Sequence, residues 1–189
     1  MSLPLVLASA SPRRLDLLRQ IGVEPSKVDP ADTDETPRTA EPPRAYALRM
    51  AEAKLAIVAA RHPAALVLAA DSVVAVGRRI LPKATSEAEV RQCLALLSGR
   101  RHKVLGGIAV GSSGKTKTRL VETAVRFKRL ERSEIEDYVK SGEGLGKAGG
   151  YAIQGRAARF VSFISGSYSN VVGLPLFETA ALLRAMGEG

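Results

Sequence analysis

The stretch ALVLAADSVVAV, residues 65 to 76, limits the fold more than any other part of this 189-residue chain. It is apolar except at Asp71 and Ser72, rich in β-branched residues, and closed by a turn signal at Gly77, which is the pattern of a buried central strand. At this length it is far short of the ~20 apolar residues of a membrane span, and no other run approaches that length. A central strand of this kind belongs in a sheet covered by helices. Asp71 directly follows the run LVLAA, so a carboxylate is expected at the end of the strand, where α/β proteins bind their ligands. A buried charge is costly unless it is paired or used, so Asp71 needs a reason to be there.

The flanking sequence supplies the expected alternation. PLVLA (4 to 8) reads as a second buried strand that breaks into a helix at SPRR. Ser11 is a good N-cap and Pro12 suits the first helical position, so Arg13 and Arg14 fall in the first turn, where the helix dipole is already positive. That placement is mildly destabilising unless an anion docks there. The hydroxyls of Ser9 and Ser11 with two guanidiniums suit a phosphate, and a solvated first turn is the plainer alternative. The helix should stop near Gly22. Residues 24 to 43 read as a polar, acidic loop, followed by a helix from Pro43 to Arg61 with Leu48, Ala51, Leu55 and Val58 on one face. Ser86 with Glu89 predicts a capping box before a helix closing at Gly99, with Cys93 on its apolar face. HKVLGGIAVG and TKTRLVETAVRFKRL flank SSGK and predict a long hairpin. Ser133 with Glu136 predicts a second capping box; a glycine-rich stretch to Gly155, a strand RFVSFI, a loop SGSYSN and a helix from Pro175 to Met186 complete the chain. Hairpins beside strand–helix alternation predict an α/β fold with a mixed sheet.

Several chemistries are excluded by context. GSSGKT (111 to 116) lacks the first glycine of a P-loop, since Ala109 stands there, and a strand pattern follows it. GLGKAG (144 to 149) matches a dinucleotide fingerprint in letters only, because it follows a helix and opens no long one. His62 and His102 are too few and too far apart for a zinc site or a Ser-His triad. The one cysteine rules out a disulfide framework, and the N-terminus lacks an export signal, so a cytoplasmic setting is expected. The length favours one domain, residues 1–189. A net charge of +9 suits an anionic partner. The basic residues are scattered in pairs, and four Phe and four Tyr with no Trp give little to stack bases on, which weakens the case for nucleic acid.

What remains is a set of hard oxygen ligands and cations: Asp32, Asp34 and Glu35 in the acidic loop, Asp71, Lys54 and Lys83. Carboxylates that hold Mg²⁺ beside cations that hold phosphate oxygens are the requirements of metal-assisted phosphoanhydride cleavage. For the acidic loop alone, ordinary salt bridging is the competing explanation.

These residues resemble the Maf family, septum-formation-associated nucleoside triphosphate pyrophosphatases, almost end to end. The matching motifs are LASASPRR, DE (34 to 35), EAK (52 to 54), AADSVV, LPKA, LSGRRHKV, KAGGYAIQG and GSYSNVVGLPL. The resemblance implies an elongated mixed sheet flanked by helices, two lobes with a central cleft, and a cytoplasmic homodimer that no membrane holds. It implies hydrolysis of a nucleoside triphosphate to monophosphate and pyrophosphate with a divalent metal cation, Mg²⁺ or Mn²⁺. It places Ser9, Arg13, Arg14, Lys54, Lys83 and Gln154 on the substrate, Asp71 as proton acceptor, and Glu35 and Asp71 at the metal. Arg13, Ser72 and Gln154 look like the specificity set of the dTTP/UTP branch, with modified pyrimidine nucleotides as further candidate substrates. Ser72 replaces a threonine of that branch, Pro82 a glycine before the cleft lysine, and Gly146 a frequent Asp before KAG. Two alternatives carry other functions: a regulatory protein of septum formation and cell division, or a basic nucleic-acid-binding module, which would bind without metal and weaken steeply with salt.

Overall fold

In the computed structural model, which describes residues 3–112 and 114–187, the run at 65 to 76 forms the strand β3 (Leu66–Val76) at the middle of a seven-stranded mixed sheet. β3 pairs in parallel with β1 (Leu5–Ala8) and antiparallel with β5 (Arg101–Ser112). β1 pairs in parallel on its other side with β2 (Lys27–Val28), a two-residue strand inside the stretch read as loop. β5 continues through the expected hairpin into β6 (Lys115–Phe127), which pairs antiparallel with β7 (Val161–Ser165). β4 (Arg79–Leu81) folds back on the end of β3, so the order is β2-β1-β3-β5-β6-β7 with β4 beside β3. The hairpin turn includes Ser113, which lies outside the described residues; Ser112 and Lys115 are cross-strand partners, so no helix follows the P-loop-like letters.

Alternation along β3 sends successive side chains to opposite faces. Leu66, Leu68 and Ala70 pack with Leu5 and Leu7 against α1 (Pro12–Gln20) and α6 (Leu176–Met186). Val67 and Ala69 pack with Val6 and Ala8 against Ala51, Leu55 and Val58 of α2 (Pro43–Arg61), and Val73 and Ala75 against Tyr46 and Met50 of the same helix. Further along the first face, Val74, Val104 and Val125 meet α3 (Glu87–Leu97) and α4 (Arg132–Lys140) in a separate core that includes Cys93. One sheet face therefore carries two cores with a cleft between them. Each large apolar side chain fully buried in them is worth roughly 1.5–3 kcal/mol over its exposed state.

The glycine pair at 106 and 107 sets how closely the layers approach the sheet. A Cβ on Gly106 would collide with Asn170, and one on Gly107 with the Ala47 carbonyl of α2. Asn170 is the middle of α5 (Tyr168–Val172), a short helix where a loop was expected, and its buried amide donates to the Val104 and Val121 carbonyls and to Thr123. Adjacent glycines on opposite faces thus seat α5 and α2 directly on the same strand.

Four local expectations need correction. Ser11 occupies the N-cap position of α1, but its side chain makes no capping bond; its own N–H donates to Ser9 Oγ at 3.2 Å. The second capping box sits two residues earlier than Ser133/Glu136: the Glu131 N–H donates to the Glu134 carboxylate at 3.0 Å, while Glu136 is taken up by Arg91 of α3. The box at Ser86 is split, since Ser86 accepts from the Glu89 N–H but the Glu89 carboxylate accepts from the Thr85 N–H, one residue upstream. The strand drawn at RFVSFI starts only at Val161, because Arg156–Phe160 wind into a 3-10 turn that buries Ala157 and Phe160.

Candidate active site

β1 accompanies β3 only as far as the Ala8–Ala69 pair, and β4 takes up the same edge at the Val74–Leu81 pair. Between them, residues 70–73 have no strand neighbour on that edge among the described residues. Asp71 and Ser72 stand in this gap and point to opposite faces of the sheet. Asp71 is therefore in mid-strand, not at a strand end as expected; the end that shapes the site is that of β1. From there the chain leaves on one face into α1, while α2 covers the other face after β2, which makes the end of β1 a topological switch point, the usual crevice for ligands in such sheets.

On the α2 face, four ionised groups form a line. Lys54 Nζ lies 2.5 Å from Asp71 Oδ1 and 2.7 Å from Glu35 Oε1, and Lys83 Nζ bonds the other Glu35 oxygen. Asp71 and Lys54 are buried, with 3% and 6% of their surface exposed. Breaking such a pair by removing one partner strands a buried charge, which is why paired burial persists. Burial pushes the Glu35 carboxyl up, but hydrogen bonds and charge from Lys54 and Lys83 override it and hold it at about 2. The Glu35 backbone is fixed too, because Tyr46 Oη donates to its carbonyl at 2.6 Å. Burial, reinforced by Asp71 and Glu35, pushes the Tyr46 phenol up to about 12.

On the other face, the arginines of SPRR turn to the protein itself. Buried Arg14 donates through Nε to the Gly173 carbonyl (2.9 Å), through Nη1 to Ser9 Oγ (2.9 Å) and through Nη2 to Ser72 Oγ (3.2 Å). Arg13 Nε donates to the Val172 carbonyl at 3.3 Å. Both residues thus cap the carbonyl end of α5, where positive charge is favoured. The charge that α1 disfavours is satisfied by the end of another helix. Burial lowers both guanidiniums from their ordinary value; for Arg14 the Asp71 charge opposes this.

A cavity of about 380 Å³ lies in the cleft and is lined by Ser9, Arg13, Arg14, Glu35, Lys54, Ser72, Lys83 and Gln154, with Lys147 and Tyr151 added. A second cavity of about 440 Å³ on the α2 side is bordered by Asp71 and Tyr46, and shares Glu35, Ser72 and Lys83 with the first. All the residues singled out for substrate, specificity and metal meet here. Asp32 and Asp34 do not: both are exposed, and Asp34 accepts the Thr36 N–H in a local turn. The carbonyls of Val172 and Gly173 were missed, because a backbone acceptor leaves no mark in the letters. Lys147 and Tyr151 were legible only as members of KAGGY, a glycine cluster that brings its neighbours close to the opposite wall.

A two-core α/β sheet with carboxylates and cations at its switch point is a cleft suited to an anionic ligand. The family model described as Maf-like protein matches residues 4–186, and the chain belongs to that family. The chain is 64% identical over 184 residues to the dTTP/UTP pyrophosphatase of Paramagnetospirillum magneticum, covering 97% of each chain. It is 62% identical to the dTTP/UTP pyrophosphatase of Caulobacter vibrioides (97% of this chain, 95% of that one), and 60% to that of Rhodospirillum rubrum (97% and 88%). No helix among the described residues is long and apolar enough to cross a membrane.

Proposed function

We propose that this protein is a single Maf-like domain that hydrolyses dTTP and UTP to the monophosphate and pyrophosphate. The observation that carries the reading is the Asp71–Lys54–Glu35–Lys83 line in the gap of β3, directly beside a cavity lined by Arg13, Ser72 and Gln154. A triphosphate laid along the cavity would place its anionic oxygens against Arg13, Lys83 and Lys54, whose charges are held in position before substrate arrives; such preorganised electrostatics is the main resource for phosphoryl transfer. Asp71 would take the proton of a water attacking the α-phosphorus, so that a P–O bond to water forms as the bond to the β-phosphate oxygen breaks and pyrophosphate leaves on the cations. Lys54 holds the Asp71 carboxylate in place for that task, and Gln154 presents an amide to the edge of the base. Ser9 and Ser72 act through Arg14, which holds the wall that the phosphates meet.

The donor set also fits a divalent cation. Mg²⁺ and Mn²⁺ accept one or two carboxylates and take their remaining ligands from phosphate and water. Glu35 and Asp71 are two hard carboxylates meeting at one lysine; no group of three or more His, Cys, Asp or Glu gathers anywhere among the described residues, so the remaining ligands would come from phosphate and water. When bound, the metal would neutralise charge on the phosphate oxygens. A cytoplasmic, homodimeric enzyme is part of the same reading, supported by the family resemblance.

The test is a panel of dTTP, UTP, dCTP, dGTP and 7-methyl-GTP with Mg²⁺ or Mn²⁺, products resolved by ³¹P NMR. Cleavage of dTTP and UTP to monophosphate and pyrophosphate is expected, abolished by chelator. Release of single phosphate, or preference for 7-methyl-GTP, overturns the reading.

A further inference from the structure

The segment Tyr151–Gln154 carries Gln154 to the cavity without belonging to any strand or helix, so something else must fix it. Its first residue, Tyr151, lines the cavity with its ring while its hydroxyl turns inward to His102 Nε2 at 2.8 Å. His102 is carried on β5, 2% exposed, and packs edge-on against both Tyr151 and Phe127. The next residue is held from the same core, where the Ala152 N–H donates to Tyr138 Oη at 3.1 Å. The other His102 nitrogen, Nδ1, makes no well-formed side-chain hydrogen bond, and only the Arg100 backbone offers the ring a second polar contact. Burying a polar ring with so few partners is costly, and a methyl-bearing or aromatic side chain in that apolar core would avoid the cost. Packing alone therefore does not account for histidine at this position.

We infer that His102 is a positioning residue for base selection: through its hydrogen bond to the Tyr151 hydroxyl it fixes the ring that walls the base end of the cavity and the segment that presents Gln154. Burial pushes His102 down to about 4, so it is neutral in the working enzyme and the contact persists unchanged around neutral pH. Without that bond Tyr151 is held only by its edge-on packing on His102 and Phe127, and a small outward shift of the wall admits the larger purine. This inference rests on the pyrimidine triphosphate reading and deepens it.

The experiment measures kcat and KM for dTTP and dGTP in the wild type, His102→Phe, Tyr151→Phe, the double variant and His102→Gln. Wild-type selectivity for dTTP is the control: its absence overturns the substrate reading and leaves nothing for His102 to set. Given that selectivity, His102→Phe and Tyr151→Phe each lower the dTTP-to-dGTP ratio of kcat/KM by about tenfold, the scale of one lost hydrogen bond, mainly through KM for dGTP. The double variant is no less selective than either single one, because both remove the same bond. His102→Gln, whose amide still reaches a hydroxyl, restores most of the ratio. Tyr151→Phe keeps the ring and the fold, so it stays informative even where His102→Phe is too unstable to purify. Unchanged selectivity in Tyr151→Phe, equal loss on both nucleotides, or additive effects in the double variant overturn the inference and reduce His102 to a core residue.

Discussion

The two faces of the gap in β3 hold charges on very different terms. On one face Arg14 spends its donors on Gly173, Ser9 and Ser72, all neutral partners within the protein. On the other, the side chains of Asp71, Lys54, Glu35 and Lys83 pair only with one another, and the two lysines hold the Glu35 carboxyl well below its ordinary value. A guanidinium bonded to neutral oxygens in a buried corner is a structural tie, and exchanging its partners for a substrate would break the fold locally. The outer members of the line of alternating carboxylates and ammoniums, Glu35 and Lys83, are partly exposed and can exchange partners with an incoming triphosphate more readily than the buried Lys54–Asp71 pair. Under the proposed function the contrast gives architecture to Arg14 and chemistry to the lysine–carboxylate line, with Arg13 between the two.

The largest effect expected is on the chemical side. Asp71→Asn keeps the shape of the carboxylate, and Lys54 keeps Glu35 as a counter-ion, so the fold should survive while kcat for dTTP falls by about 10²–10⁴-fold, the usual worth of a general base. Circular dichroism with product assays checks this, and near-normal turnover would show that the α2 face is not the chemical one. Next comes the structural side. Arg14→Ala removes three buried hydrogen bonds, although the Gly173 carbonyl keeps a long bond from Ser72 Oγ and Ser9 Oγ keeps the Ser11 N–H, and should cost about 1–3 kcal/mol in denaturant unfolding of the nucleotide-free protein. A variant as stable as the wild type would erase the contrast between the faces.

Arg13→Ala sharpens the boundary. Removing its charge relieves the α1 dipole by roughly 0.3–1 kcal/mol and forfeits one long bond to Val172, so stability should stay within about 1 kcal/mol of the wild type. Loss of a charge-assisted phosphate contact should still lower kcat/KM by about 10- to 150-fold. Loss of stability without loss of turnover would move Arg13 to the structural side. The smallest effect concerns acid. Glu35 titrates at about 2 in the folded protein against 4.5 ordinarily, so its contribution to stability is present above pH 4.5 and declines as the pH falls through about 2. Denaturant unfolding of the wild type against Glu35→Gln should accordingly show a stability difference that holds down to pH 4.5 and shrinks only below it, and a difference already lost at pH 4.5 would mean that Lys54 and Lys83 do not hold Glu35 in solution.

Legibility in the sequence followed the range of the interaction concerned. The helix at 43–61 and the hairpin around SSGK were readable because periodicity and turn residues are local, and both stand where they were expected. Ser11 and Ser133 misled because a serine before a helix has rivals: the Arg14 N–H bonds the Ser11 backbone carbonyl instead of its hydroxyl, and Glu131 with Glu134 formed the other start two residues earlier. The gap in β3 was invisible, since it depends on where β1 and β4 stop rather than on any residue of β3 itself. The meeting of Glu35, Lys54, Asp71, Lys83 and Gln154 was reached through resemblance to a family and not through spacing. That Arg13 and Arg14 would spend bonds on a helix end far along the chain could not be read from SPRR at all.

The clip from Arg13 and Arg14 to Val172 and Gly173 spans 159 residues of sequence. Closing a loop of that size costs entropy before any contact repays it, and such long-range contacts form late in folding. During synthesis the amino-terminal strands and helices emerge first and can pack on one another, but the cleft lacks the Val171–Gly173 part of its lining until the segment after Gly166 has left the ribosome. A nascent or truncated chain ending before that point would therefore carry every charged residue of the α2 face while Arg13 and Arg14 stand without the helix end that holds them. The last part of the cleft wall thus waits on a segment made long after the arginines it anchors.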